Sequence, residues 1–329
     1  MTDLAPLVQG FFTDRLMRQR QASPHTVAAY RDTMKLLFGF AHDRTGRHPA
    51  RLSLTDLDAP IIGAFLHHLE EDRGNSTSTR NARLAAIHSF FRYAGHRTPE
   101  HAALIQRVLA IPAKRFDRAI VSYLNEAEAE ALIAAPDRTT WTGRRDHGLL
   151  LVAVHTGLRN AELAGLTIND AHLGTGAHVR CHGKGRKDRC TPLTRTAVKA
   201  LRGWERERGG QPPDPLFPTR LGGPLSRDAI ERLVAKHAKA AATACPSLAG
   251  KKVTPHTLRH TTAMALLRSG VDISVIAMWL GHETTEATQI YLHADMSIKE
   301  RALARVALPE GKPGRYTAPD TLLAFLEAL

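Results

Sequence analysis

Through the first hundred positions apolar residues recur every three or four places, the period of helices that turn one face toward a core. Leu4, Leu7, Val8, Phe11 and Leu16 keep that spacing. Ser23 and Pro24 supply a capping hydroxyl and a first-turn proline for a second helix, with Val27, Tyr30, Met34, Leu37 and Phe38 along one side. Thr55 is placed to cap a third helix bearing Ile61, Ile62, Phe65 and Leu69. A fourth opens near Ser78 and carries Leu84, Ile87, Phe90 and Phe91, with Arg80, Arg83 and Arg92 around it. Four such helices with basic ends fit a DNA-gripping module and a plain helical bundle equally well.

The pattern changes after Ile111. A basic, proline-containing stretch, I-P-A-K-R-F-D-R at residues 111–118, gives way to Asn125, three residues ahead of Glu128, which is a capping-box start for a new helix. The chain therefore divides into a helical domain over 1–112, a basic linker over 113–123, a second domain over 124–308 and a tail over 309–329. In the second domain, Leu149 to Val154 read as a buried helix that stops near Gly157. Residues 177–182 and 189–193 read as short strands around the turn G-K-G-R-K-D at 183–188. Helices follow from about Thr194, Ser226, Pro255, Asp272 and Thr284, with Gly270 and Gly281 where C-terminal caps belong. The expected fold is mainly α with a small β-sheet. In the tail, a Pro/Gly spacer over 309–319 precedes an apolar stripe of Leu322, Phe325, Leu326 and Leu329.

Length and composition narrow the function. A chain of 329 residues can hold two domains, each with its own core. Against 32 Asp+Glu stand 45 Lys+Arg, a formal net charge of +13. Such an excess favours a polyanionic partner through counterion release, although an arginine-rich genome accounts for the count equally well. Cys181, Cys190 and Cys245 form an odd set without a C-x-x-C pair, which argues against a disulfide framework or a zinc ribbon and for a reducing cytoplasm. Cys181 and Cys190 flank the hairpin turn and are read as reduced packing residues near each other across it. No apolar run approaches the ~20 residues of a membrane span, and the N-terminus lacks the regions of a signal peptide. A cytoplasmic protein with no membrane partner is expected.

The densest chemistry lies between residues 254 and 291. T-P-H-T-L-R-H at 254–260 carries His256, Arg259 and His260; L-G-H at 280–282 carries His282; Tyr291 follows nine residues later. Upstream, T-G-L-R-N-A-E-L at 156–163 adds Arg159 and Glu162, and Lys184 stands between Gly183 and Gly185. Cleaving a DNA phosphodiester requires a nucleophile, stabilisation of charge on phosphorus and a proton for the departing 5′ oxygen. Arginine suits the second task because its planar fork binds two non-bridging oxygens and stays charged. Arg159 and Arg259 fill it, and His256, three residues before Arg259 in a helix, reaches the same phosphate. Lys184 suits the third, since the alkoxide's conjugate acid is about as weak as water, with a pKa of ~15.7. Tyrosine, with a reference pKa of ~10, is a better leaving group than that alkoxide. A phosphotyrosyl link can then be resealed by an incoming DNA hydroxyl without an energy source, which suits strand exchange rather than hydrolysis.

His256 and His260 at i,i+4 have the spacing of a zinc pair, but a third ligand and the glutamate of H-E-x-x-H are missing. The G-K-G turn lacks the G-x-x-x-x-G-K-[ST] spacing of a nucleotide loop, and Lys184 could be a simple phosphate contact. Tyr30, Tyr93 and Tyr123 fit packing positions, Tyr316 lies in the tail, and His67, His68, Glu70 and Glu71 read as a solvated helix face. No metal and no cofactor are expected.

Taken in order, T-G-L-R-x-x-E-L, the G-K-G-x-K-x-R hairpin at 183–189, H-x-L-R-H, and L-G-H with its following tyrosine resemble the tyrosine recombinases of the phage integrase family. The resemblance covers nearly the whole chain, most closely from about Asn125 to Met296. It implies that Arg159 and Arg259 bind the scissile phosphate and that Lys184 is the general acid, with Lys187 the less favoured alternative. His256 would assist proton transfer to and from Tyr291, and His282 would hydrogen-bond the phosphate or position the nucleophile. Glu162 would brace His256 or an arginine, and Tyr291 would form the 3′-phosphotyrosyl link. His260 matches a common family residue and is assigned to packing. The family further implies an N-terminal core DNA-binding domain and a mixed α/β catalytic domain that close as a C-shaped clamp on double-stranded DNA. Paired core sites would be joined in a homo-tetramer, or in a hetero-assembly with related recombinases, and exchanged through a Holliday junction without metal or ATP. A first helix near Leu4 implies the core-site architecture without an arm-type domain, and the tail resembles recombinases of bacterial mobile elements. Two rival functions are a type IB topoisomerase-like relaxation of DNA and a non-catalytic DNA-binding regulator on the same fold. The helical N-terminal module speaks against the first and the full Arg-Lys-His-Tyr set against the second.

Overall fold

The computed structural model describes residues 4–115, 121–182, 188–282, 286–289 and 291. The chain separates into two compact units, residues 1–118 and 119–329.

In the first unit, α1 (Leu4–Gly10) runs directly into a π-helical stretch, Phe11–Gln19. The widened turn follows the sequence: Leu4, Leu7, Phe11 and Leu16 are buried, and a spacing of five between the last two faces one direction only if the helix loosens. Ser23 caps α2 (Pro24–Thr45) by accepting from the Thr26 N–H. The third helix starts later than Thr55 would place it. Thr55 lies in a 3-10 turn, Leu54–Asp56, and Asp58 caps α3 (Ala59–Glu71) through the Ile61 N–H at 3.0 Å. Pro60 explains the shift, because a proline is tolerated in the first turn of a helix and breaks its interior. Ser76 caps α4 (Thr77–Gly95), and a short fifth helix, α5 (Ala102–Leu109), adds Ile105 and Val108 to the core. That core is aromatic, with Phe11 meeting Phe90 edge-on at 5.5 Å between ring centroids. Arg80 does not face outward: it is buried and donates to the Pro112 carbonyl, bracing the chain where it leaves α5.

The second unit opens with α6 (Glu126–Ala134), where Asn125 and Glu128 cap each other reciprocally. α7 (Trp141–Thr156) and α8 (Asn160–Gly165) lead to an antiparallel sheet of β1 (Ala171–His172), β2 (His178–His182) and β3 (Asp188–Pro192), in that order. α9 (Arg195–Arg208), α10 (Arg227–Ala241), α11 (Pro255–Arg268), α12 (Ile273–Leu280) and α13 (Glu286–Gln289) complete it. α7 is buried nearly all round and packs against α6, α9 and α11. The register pairs Cys181 with Arg189 and Cys190 with Arg180. Side chains alternate across a strand, so the two cysteines point to opposite faces rather than toward each other. Cys181 packs in the core, Cys190 is exposed and both are free thiols. Among the described residues no helix is long and apolar enough to cross a membrane.

Candidate active site

The site is built where two helix C-termini meet. Gly157 ends α7 and Gly281 ends α12, with φ of +63° and +65°, a left-handed conformation that closes a helix and favours glycine. A Cβ on Gly157 would lie 2.7 Å from Leu280 Cδ2, so the close approach of the two ends also excludes a side chain there. Helix ends leave carbonyls without intrahelical partners and carry partial negative charge. Two arginines use them. Arg259 donates from Nη1 to Gly157 O at 2.7 Å and from Nη2 to Leu280 O at 2.8 Å. Arg159 donates from Nη2 to Gly281 O at 2.7 Å. The consecutive carbonyls of Leu280 and Gly281 thus hold two guanidinium groups from residues a hundred positions apart in sequence.

Glu162 organises the other side of Arg159. One carboxylate oxygen accepts from the Arg159 backbone N–H at 2.7 Å and the other from Arg159 Nη1 at 3.0 Å. The same carboxylate receives both terminal nitrogens of Arg189, at 2.8 and 2.7 Å. Burial alone would raise this carboxyl, but the hydrogen bonds from Arg189 and Arg159 outweigh it and hold Glu162 below its ordinary value. Of the two bracing roles read from sequence, the structure places Glu162 on an arginine. It also adds Arg189, which clamps β3 to the start of α8.

α11 presents His256, Arg259 and His260 from its first turns, with Thr254 as its cap and Pro255 in the first turn. His256 lies at the exposed edge, while Arg259 and His260 are buried. The His256 and His260 rings meet edge-on at 4.0 Å. Tyr291 is 1% exposed and packs with Met264 and Leu280, and its hydroxyl lies 2.9 Å from His260 Nδ1. His282 follows Gly281 and pairs through Nδ1 with the Thr288 hydroxyl at 2.7 Å.

The titrations follow from burial beside fixed cations. Burial, with His256 and Arg259 next, takes His260 down to about 4; burial, with Arg259 and Arg159 next, takes His282 down to about 4 as well. His256 is lowered by desolvation, Arg259 and Arg159. Burial and the adjacent Arg159 bring Arg259 down to about 10, which still leaves it charged at neutral pH. Burial raises Tyr291, against the pull of Arg259, so the resting phenol keeps its proton.

The structure therefore brings together Arg159, Glu162, His256, Arg259, His282 and Tyr291. Lys184 and Lys187 lie outside the described residues, as do Tyr316 and the tail. Sequence reasoning did not single out Arg189 as a site residue, although strand alternation places it on the buried side with Cys181. It also assigned His260 to packing, whereas His260 touches the tyrosine hydroxyl. Its position four residues after His256, one turn along the same helix face, was the available signal. Among the described residues, no group of three or more His, Cys, Asp or Glu side chains is placed to hold a metal ion.

With this geometry in view, comparison with known proteins is decisive. The phage integrase family profile matches residues 122–297, and the phage integrase N-terminal SAM-like domain matches residues 10–98. The chain belongs to the phage integrase family of tyrosine recombinases. This recombinase is 54% identical to a Sinorhizobium fredii protein, y4rC, whose name places it among integrases and recombinases; the match spans 99% of this chain and 98% of that one. It is 32% identical to the tyrosine recombinase XerD of Pseudomonas putida, over 88% of this chain and 92% of XerD. Among solved structures, XerH bound to a palindromic substrate in a post-cleavage complex has a TM-score of 0.67 at 23% identity, covering 87% of this chain and 81% of that one. The Tn1549 transposon integrase in complex with transposon right-end DNA has a TM-score of 0.69 at 16% identity, covering 93% of this chain and all of that one. At those identities the likeness is one of fold. The chain's family match and its identity to XerD make it a site-specific DNA recombinase of the tyrosine type.

Proposed function

We propose that this recombinase, acting in the cytoplasm, cuts and rejoins double-stranded DNA at paired core sites through a covalent 3′-phosphotyrosyl link to Tyr291. The observation that carries this reading is the convergence of Arg159 and Arg259 on the adjacent carbonyls of Leu280 and Gly281. Two fixed positive forks side by side match the charge that develops on a phosphorane, and they are oriented before substrate arrives. The Tyr291 hydroxyl attacks phosphorus while Lys184 protonates the departing 5′ oxygen. His256 assists proton transfer to and from Tyr291, His282 hydrogen-bonds the phosphate, and Glu162 keeps Arg159 in place. An incoming 5′ hydroxyl reverses the step, so neither ATP nor a metal is required. Four protomers, or a hetero-assembly with related recombinases, hold two sites and resolve a Holliday junction. The solved relatives bound to DNA support double-stranded DNA as the partner.

The test uses a core site recovered by covalent capture from the DNA flanking the gene and rebuilt as a nicked suicide duplex. Wild type is expected to give a protein–DNA adduct on a denaturing gel, and Tyr291→Phe none, with DNA binding nearly unchanged. A persistent adduct in Tyr291→Phe would move the nucleophile elsewhere. Supercoil relaxation of arbitrary plasmids without paired sites would instead favour the topoisomerase reading.

A further inference from the structure

We propose that His260 is the residue that takes the proton from Tyr291 during cleavage and returns it during religation. The proposal rests on the phosphotyrosyl reading above and adds a catalytic residue to it. Its basis is contact: His260 Nδ1 lies 2.9 Å from the Tyr291 hydroxyl, inside a pocket where both side chains are buried. His256, one turn earlier on α11, is exposed and meets the ring of His260 at 4.0 Å. It is thus placed beside the proton acceptor and toward the solvent edge, where a phosphate enters.

The step balances without another reagent. As the Tyr291 oxygen forms its bond to phosphorus, the phenolic proton passes to His260 Nδ1, the P–O5′ bond breaks and Lys184 supplies the proton on the 5′ oxygen. In religation the 5′ hydroxyl gives its proton back to Lys184, and the departing phenolate recovers the one on His260. His256, Arg259 and His282 all oppose positive charge on His260, so the resting ring is neutral and its Nδ1 is free to accept from the phenol. A bound phosphate brings negative charge against Arg159 and Arg259 and offsets that opposition, which raises the basicity of His260 when the proton must move. An acceptor that is weak at rest and strengthened by substrate confines proton transfer to the bound complex.

The experiment is single-turnover cleavage of the suicide duplex by the full-length chain. His260→Phe keeps an aromatic ring, somewhat larger than imidazole, and removes Nδ1, and is expected to lower the cleavage rate on the order of 10²-fold, the low end for loss of a general base. DNA binding should stay within a few-fold. Replacing Tyr291 by 3,5-difluorotyrosine, whose phenol ionises far more readily, is expected to recover at least tenfold in the His260→Phe background. In the wild-type background it should recover nothing. A purely structural role for His260 would not give that selective rescue. His260→Asn serves where the phenylalanine variant fails to fold: its amide accepts the hydrogen bond but takes no proton, so it should show the same loss and the same rescue. Wild-type cleavage by His260→Phe or His260→Asn, or a loss that difluorotyrosine leaves unchanged, overturns the proposal alone. A wild-type chain that forms no adduct on any duplex overturns the proposed function, and this step with it.

Discussion

Arg159 and Arg259 show why arginine and not simply positive charge occupies these two places. Each donates to helix-end carbonyls with part of its fork, and in the proposed step the remainder faces a phosphate. A lysine ammonium cannot span Gly157 O and Leu280 O and still present a flat donor edge. Arg259→Lys and Arg159→Ala are each expected to lower single-turnover cleavage by about 10²–10³-fold, equivalent to ~2.7–4 kcal/mol for one preorganised donor. Equilibrium DNA binding, spread over many phosphates, should change far less. Lys184 calls for a different readout, because its proposed task is to deliver a proton. Lys184→Ala is expected to recover cleavage on DNA whose 5′ bridging oxygen is sulfur, a leaving group that needs none. A variant equally slow on both substrates would remove Lys184 from the acid role.

At the scale of elements, the site depends on how α7, α8, α12 and β3 end or begin. Gly157→Ala would force a side chain into a left-handed backbone, which costs about 1–2 kcal/mol, and into Leu280. Because Gly157 O also holds Arg259, cleavage should fall further than that loss of stability accounts for. Glu162→Gln removes the charge that Arg159 and Arg189 share in a buried place, and is expected to cost about 3–5 kcal/mol in urea unfolding. All three tryptophans, Trp141, Trp204 and Trp279, lie in residues 119–329, so their fluorescence reads that unit. The same signal tests pH dependence. His260 and His282 have folded values near 4 against an ordinary 6.5, so between those values the unfolded chain binds more protons. Their contribution to stability is therefore complete above pH 6.5 and is lost as pH falls toward 4. Glu162, also depressed, adds a contribution present above its ordinary value of 4.5 and lost at more acid pH. Unfolding midpoints that stay flat from pH 7 to 4 would contradict the histidine assignments.

For the whole molecule, the proposed reaction is reversible and joins several protomers on two sites. Residues 318–329, with the apolar stripe Leu322, Phe325, Leu326 and Leu329, lie outside the described residues and carry the expectation of a contact between protomers. Their deletion is expected to leave single-site binding in gel-shift assays intact while reducing synapsis and recombination. Normal recombination by the truncated chain would make them dispensable. Chelator is expected to leave wild-type cleavage unchanged, since the proposed step draws its charge stabilisation and its protons from side chains of the chain, Arg159 and Arg259 foremost.

The sequence by itself determined most of the helices and named the residues from which the candidate site is built. Helix starts at Ser23 and Asn125, stops at Gly157 and Gly281, and the Arg-His-Tyr motifs all depend on local spacing, which a linear pattern records. Where local signals compete, as at Thr55 against Asp58 with Pro60 behind it, the proline's missing N–H settled the start. The contacts that make the motifs one site are not local. Arg259 meets the carbonyls of Gly157 and Leu280, Glu162 meets Arg189, and His260 meets Tyr291 across 31 residues. Only packing of α7, α11 and α12 against one another brings those groups within bonding distance. Tertiary structure therefore decided which histidine touches the tyrosine and which strand holds the glutamate: hydrogen bonds form between groups that the core has placed, whatever their separation along the chain.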